Sequence, residues 1–253
     1  MVAADVRISR DQFVWAFSAD MAPVVTVDPG SVIELETNDC FTGQVQTEAD
    51  TIEALDFDRL NSATGPIFVR GAEPGDSLSV TLLDIVPGPQ GSAMVIPGSG
   101  QLVEFCNAPV TRILKIENGT IWLNDRVSFP AKPMIGVIGV APADGSVITF
   151  LADKHGGNLD DTVNGIGATR HFPDLKRGAL PPLRTTRPTT SAAEVGGPGA
   201  ERSEGVGEGL ARPRDGIGLG AVHQVGPPNI GRVALDGEQL SRDGQFVASQ
   251  PFG

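Results

Sequence analysis

The chain has 253 residues, 40% of them hydrophobic, with a mean hydropathy of −0.01, a formal net charge of −12 and a pI of about 4.6. That length suffices for one large core or two small domains, and the composition is that of a soluble globular protein. The acid excess argues against a protein that works by neutralising nucleic-acid phosphates or by adhering to an anionic membrane, and no apolar run is long enough to span a bilayer.

The acid is unevenly placed: from Asp174 onward acidic and basic residues cancel, so the surplus lies in the first part. Cys40 and Cys106 are the two cysteines, too few for a disulfide framework, and the first residues carry no secretory pattern. The expectation is a cytoplasmic protein with reduced thiols.

In chain order, Val24–Val27 leads through Pro29-Gly30 into Ser31–Thr37, which alternates apolar with polar residues as a half-buried strand does. Asp50–Leu60 is the one early segment with helical spacing, with Ile52, Leu55 and Leu60 on one face. Glu73-Pro74-Gly75-Asp76 is a turn ahead of a second alternating strand, Ser77–Ile85. Arg112–Glu117, Asn118-Gly119 and Thr120–Leu123 read as a hairpin, because Asn-Gly supplies the positive φ angles of a type I′ turn. Met134–Val140 is apolar throughout, as in a strand buried on both faces, and Ser146–Leu151 is a further strand. Many short strands joined by Gly/Pro turns give a mainly β fold class, an antiparallel sandwich or jelly roll with few short helices.

Ser146–Leu151 leads into Asp153-Lys154-His155-Gly156-Gly157-Asn158-Leu159-Asp160, the densest cluster of chemistry in the chain. The glycine pair permits a sharp turn or close approach of backbone to a ligand. Histidine and carboxylate are metal ligands or proton carriers. Each residue also has an ordinary reading. His155 fits a surface loop, Asp160 and Asp161 fit caps, and Asp39 fits a turn at the end of Ser31–Thr37. The acidic run Glu48, Asp50, Glu53, Asp56 and Asp58 reads as a solvated face. Cys40 lacks a cationic neighbour and reads as a small buried residue.

Beyond Leu180 the texture changes. Residues 181–190 hold almost nothing to bury, and residues 194–220 are rich in Gly, Arg, Pro and Glu. Lys176 is the last lysine. Strand character returns only in Ile230–Leu240 and Gln245–Ala248. The expected organisation is a β domain over residues 1–180 and a divergent, low-complexity, largely disordered tail over 181–253.

The first part resembles the acetamidase/formamidase family. The matching pieces run in order: Phe13–Asp20 (FVWAFSAD), Pro23–Gly30 (PVVTVDPG), Asp39–Gln44 (DCFTGQ), Thr47–Asn61, Thr64–Asp76, Pro133–Pro142 (PMIGVIGVAP) and His155–Asp160 (HGGNLD). The resemblance implies a mainly β fold that hydrolyses short aliphatic amides, with a divalent metal ion, zinc or calcium, in the site. It implies catalytic roles for Asp39 and Asp160, metal ligation by Asp39, His155 and Asp160, and substrate contacts from Gln44, Gly156, Gly157 and Asn158. The expected partner is a small amide, with no nucleic acid and no membrane, and a homodimer is an open assembly state.

A third site segment of the family, of the form Gly-Asp-x-His, has no counterpart after Leu180, where Pro181-Pro182-Leu183 stands instead. A shifted reading frame and a genuinely divergent C-terminus both account for the break. The alternative function is accordingly a non-catalytic remnant, or a small-molecule binding protein that lacks the C-terminal part of the site.

Overall fold

The computed structural model describes residues 3–73, 76–98, 104, 107–173, 183–184, 223–224 and 229–238. Within them the fold is mainly β, and helix is confined to short 3₁₀ turns. No described helix is long and apolar enough to cross a membrane.

The β-branched runs of the sequence form a central sheet in the order Val6–Ile8, Val32–Thr37, Asn229–Glu238, Ser77–Val86, Thr169–Pro173. Asn229–Glu238 lies between two strands that are distant from it in sequence and runs antiparallel to both. It sets Val233 opposite Ile33 on one side and Leu82 on the other. Val6–Ile8 runs parallel to Val32–Thr37, with Arg7 opposite Glu34 and ion-paired to it at 3.1 Å.

Ile33, Leu35, Leu78, Val80, Leu82, Phe172, Val233 and Leu235 from this sheet pack with Ile135, Ile138 and Val140 into the largest core. Val27, Ile67 and Val69, from the parallel pair Val25–Val27 and Ile67–Val69, complete it. Packing on this scale buries Val32–Thr37 and Ser77–Val86 more fully than their alternation predicts. Even Glu34 and Thr37 are buried, where a half-buried strand would expose its polar positions.

A second sheet contains the predicted hairpin: Lys115–Glu117 pairs with Thr120–Trp122, and Asn118 and Gly119 both have positive φ. A third sheet joins Ala152–Asp153, Gly156–Asn158, Val137–Gly139, Leu183–Arg184, Ala63–Thr64 and Phe13–Val14 in that order. Residues 134–140 are buried throughout, as expected. The strand read over Ser146–Leu151 ends at Ile148, where the chain turns back.

The segment Asp50–Leu60 is not an α-helix. It forms the 3₁₀ turns Ile52–Ala54 and Phe57–Arg59, with Leu55 extended between them. Competing local bonds explain this. The Asp56 carboxylate accepts from Asp58 N at 3.1 Å, and the Gln44 amide takes the Asp56 N–H and the carbonyls of Asp56 and Arg59. Leu55 and Leu60 are still buried, against Cys40, Phe41 and Val45.

Stretches beyond Leu180 enter all the larger sheets: Leu183–Arg184 pairs with Val137–Ile138, His223–Gln224 with Gly91–Ser92, and Asn229–Glu238 fills the central sheet. The strand character of Ile230–Leu240 is thus realised in Asn229–Glu238, while Gln245–Ala248 and Cys106 lie outside the described residues.

Leu235 is 1% exposed. Leu235→Ala is expected to lower the unfolding free energy by about 2–5 kcal/mol, read by urea denaturation. A loss below about 1 kcal/mol would show that this strand does not occupy the sheet centre.

Candidate functional site

The site is built where Val137–Gly139 lies antiparallel to Gly156–Asn158, with Val137 opposite Asn158, Ile138 opposite Gly157 and Gly139 opposite Gly156. Glycine is required on both strands. A Cβ on Gly139 would stand 2.5 Å from the His155 carbonyl oxygen, and one on Gly156 would stand 2.3 Å from that of Ile138. A Cβ on Gly157 would come within 2.0 Å of the Leu151 carbonyl oxygen, and Gly156 and Gly157 have φ of +95° and +103°. The glycine pair therefore serves backbone-to-backbone approach, and any substrate contact from it is by backbone.

This approach draws His155 inward. It is 2% exposed, so it is no surface-loop histidine, and its ring meets that of Phe17 edge-on with centroids 5.0 Å apart. Its carbonyl accepts from Val140 N at 2.7 Å. Nε2 is buried and has no hydrogen-bond partner among the described residues. Burial pushes the imidazole pKa below the ordinary histidine value, and the nearby Asp153 charge opposes the shift. The ring is thus kept neutral.

Asn158 ends the strand with Oδ1 buried and unpartnered among the described residues. Asp160 follows at φ +43°, a left-handed conformation that Asp tolerates better than most residues. The Gly136 carbonyl holds it there, accepting from Leu159 N at 2.9 Å and Asp160 N at 3.1 Å. A Cβ on Gly136 would lie 2.8 Å from Asp160 Oδ1, so the missing side chain makes room for the carboxylate.

Gly156, Gly157 and Asn158 therefore form one short strand, with His155 in the turn before it and Asp160 in the loop after it. Asp39 and Gln44 serve other contacts. Asp39 is 7% exposed, and its Oδ1 accepts from Phe41 N at 2.8 Å and its Oδ2 from Gly43 N at 3.0 Å, which fixes the loop after Val32–Thr37. The Gln44 amide is committed to the backbone of Asp56 and Arg59, not presented to a ligand. Asp39, His155 and Asp160 do not form a metal cage: among the described residues no group of three His, Cys, Asp or Glu side chains comes together to hold an ion.

The acidic run is a solvated face. Glu48 pairs with Arg112 at 3.1 Å, and Asp50 accepts from Gln46 N and Thr47 N, bonds that hold its pKa below the usual carboxylate value. Cys40 is a buried thiol. Sequence reasoning missed Asn164 and Arg170. Asn164 is fully buried, and its side chain accepts from the Arg170 guanidinium, which also pairs with Asp161 at 3.2 Å. No local signal marks it, since the flanking Val163 and Ile166 are exposed and the burial of Asn164 comes from distant partners.

The family model described as the acetamidase/formamidase family matches residues 7–183. The match ends where the composition changes. Among solved structures, an acetamidase from Bacillus halodurans is similar at 29% identity and a TM-score of 0.76, over 92% of this chain and 70% of that one. An acetamidase/formamidase-type protein from Thermoanaerobacter tengcongensis is similar at 31% identity and a TM-score of 0.76, over 92% of this chain and 69% of that one. A formamidase-named protein of Schizosaccharomyces pombe is 30% identical over 130 residues, 47% of this chain but only 31% of that relative's length.

The burial of His155 makes stability depend on pH. The unfolded chain binds the imidazole proton more readily than the folded protein does. Stability is therefore lost as pH falls through the ordinary histidine range and on to the lowered folded value. The urea midpoint is expected to fall between about pH 7 and about pH 5, and His155→Asn is expected to flatten that fall. An unchanged slope in the variant would place the titrating group elsewhere. Gly157→Ala, which puts a Cβ against the Leu151 carbonyl, is expected to destabilise the protein by more than about 2 kcal/mol by the same measurement.

Proposed function

The chain belongs to the acetamidase/formamidase family, and on that premise we propose that it hydrolyses short aliphatic amides of the formamide and acetamide type to carboxylate and ammonia. The observation that supports the reading is the pair of buried polar atoms, His155 Nε2 and Asn158 Oδ1, left unpartnered among the described residues at the two ends of the glycine-locked strand Gly156–Asn158. Buried polar groups are normally satisfied, so such atoms mark a place where a polar ligand belongs.

Amide hydrolysis adds water to the carbonyl carbon and breaks the C–N bond, with one water proton delivered to the departing nitrogen. The Asp160 carboxylate takes the proton from water and returns it to nitrogen as the tetrahedral intermediate collapses. Gly136, which lacks a side chain and accepts from Asp160 N, holds that carboxylate in place. The Asn158 carbonyl accepts an N–H of the substrate amide. His155, neutral because it is buried, offers Nε2 to the substrate or the attacking water without introducing a charge.

A divalent metal would supply an activated water and polarise the carbonyl. The described residues do not make a site for one by themselves: His155 offers one nitrogen, Asp39 binds its own loop, and a hydrolytic zinc takes three protein ligands. Against the remnant reading stands the central sheet, where Asn229–Glu238 fills the position between Val32–Thr37 and Ser77–Val86 that a remnant would leave open.

The test is ammonia release from formamide and acetamide by the purified full chain. Asp160→Asn is the informative variant, because Asn also tolerates the φ of +43° and so keeps the backbone. It is expected to lower kcat by about 10²–10⁴-fold with an unchanged melting curve. Retention of wild-type kcat would remove Asp160 from the mechanism, and absence of turnover in the wild type would overturn the hydrolase reading.

A further inference from the structure

The Arg170 guanidinium carries only N–H donors, so the atom of the Asn164 amide that faces it must be the oxygen. The orientation of this side chain is therefore fixed chemically, and Nδ2 points away from Arg170. Asn164 is 0% exposed, and Nδ2 has no hydrogen-bond partner among the described residues. A buried amide donor left unpaired is costly, so a ligand that accepts from it is favoured.

The backbone of Asn164 is held on both sides. Its carbonyl accepts from Ile135 N at 2.9 Å, and its N–H donates to the Asp161 carbonyl at 2.9 Å. Ile135 precedes Gly136, whose carbonyl accepts from Asp160 N, so Asn164 and Asp160 are bonded to adjacent residues of one buried segment. Arg170 ties this arrangement together through Asn164 and Asp161, and it is itself seated opposite Val80 in the central sheet.

We propose that Asn164 donates from Nδ2 to the carbonyl oxygen of the amide substrate, and that Arg170 is the positioning residue that aims it. This rests on, and deepens, the amide-hydrolysis reading. A primary amide offers one good acceptor, its carbonyl oxygen, and that atom gains negative charge when water adds to the carbon. A buried donor already held in place stabilises this charge without reorganisation. The guanidinium cation bonded to Oδ1 polarises the Asn164 amide and makes Nδ2–H a stronger donor.

The experiment uses the full chain with acetamide as probe. Asn164→Ala and Asn164→Asp are expected to lower kcat about 10²–10³-fold, with KM changed far less, because the donor acts mainly on the developing charge. Arg170→Met is expected to lower kcat about tenfold, and Arg170→Lys, which keeps a cationic donor, to recover part of it. A purely structural role would move the melting curve without this split between kcat and KM. Independently of turnover and of variant folding, the Asn164 side-chain ¹⁵N–¹H pair of the wild type, identified by its loss in Asn164→Asp, is expected to shift on acetamide titration. A shift without wild-type turnover would support the donor assignment while the hydrolase reading fails. Turnover with an unshifted pair, or with kcat of the folded Asn164 variants within about threefold of wild type, would overturn the assignment alone. Neither turnover nor shift would overturn both.

Discussion

The close contact between Val137–Gly139 and Gly156–Asn158 is the constraint on which the site depends. Two strands that carried side chains at Gly139, Gly156 and Gly157 would be pushed apart by carbonyl oxygens of the chain itself. Because they meet, the His155 carbonyl reaches Val140 N, the ring is drawn under Phe17, and the chain emerges at Asn158 and Asp160 beside Gly136. Burial of the imidazole, its neutrality and the left-handed turn at Asp160 all follow from an interaction between backbones in which none of these side chains takes part.

A second layer of support comes through charge. From its place in the central sheet Arg170 reaches Asp161 and Asn164 with its side chain, and Asn164 is bonded to Ile135 through its carbonyl. The loop after Asp160 is therefore pinned to the sheet that carries the largest core. The two halves of the site, the glycine-locked strand and the clamped loop, converge on residues 135–137 of one buried segment. A site held at both ends by buried backbone is more exact than one carried on a free loop.

Much of this was legible in the sequence, for definite reasons. The hairpin followed from Asn118-Gly119, whose φ values are a local property. The buried segment 134–140 followed from uninterrupted apolar composition. The His155–Asp160 loop stood out by its residue types. The strand read over Ser146–Leu151 was right in kind but too long. What was hidden depends on distant partners. The spacing of Ile52, Leu55 and Leu60 looks helical, yet the Gln44 amide, far away in sequence, takes the backbone groups a helix would need. The same contact removes Gln44 from any role that its residue type invites. Asp39 answers to its ordinary reading as a turn cap, and Arg170 is an unremarkable cation until the fold sets it against Asn164. The strand Asn229–Glu238 was legible as strand character over Ile230–Leu240, but its central place was not, because that depends on two partners distant in sequence.

That strand has a consequence for how the molecule comes into being. During synthesis Val32–Thr37 and Ser77–Val86 are complete long before Asn229–Glu238 has been made. Until then each presents an unpaired edge and apolar side chains that belong in the core. The sheet cannot close in order of synthesis, so its assembly waits until the ribosome has delivered Asn229–Glu238. In that interval the exposed edges are open to other chains, and the cell's capacity to shield them sets the yield of folded protein.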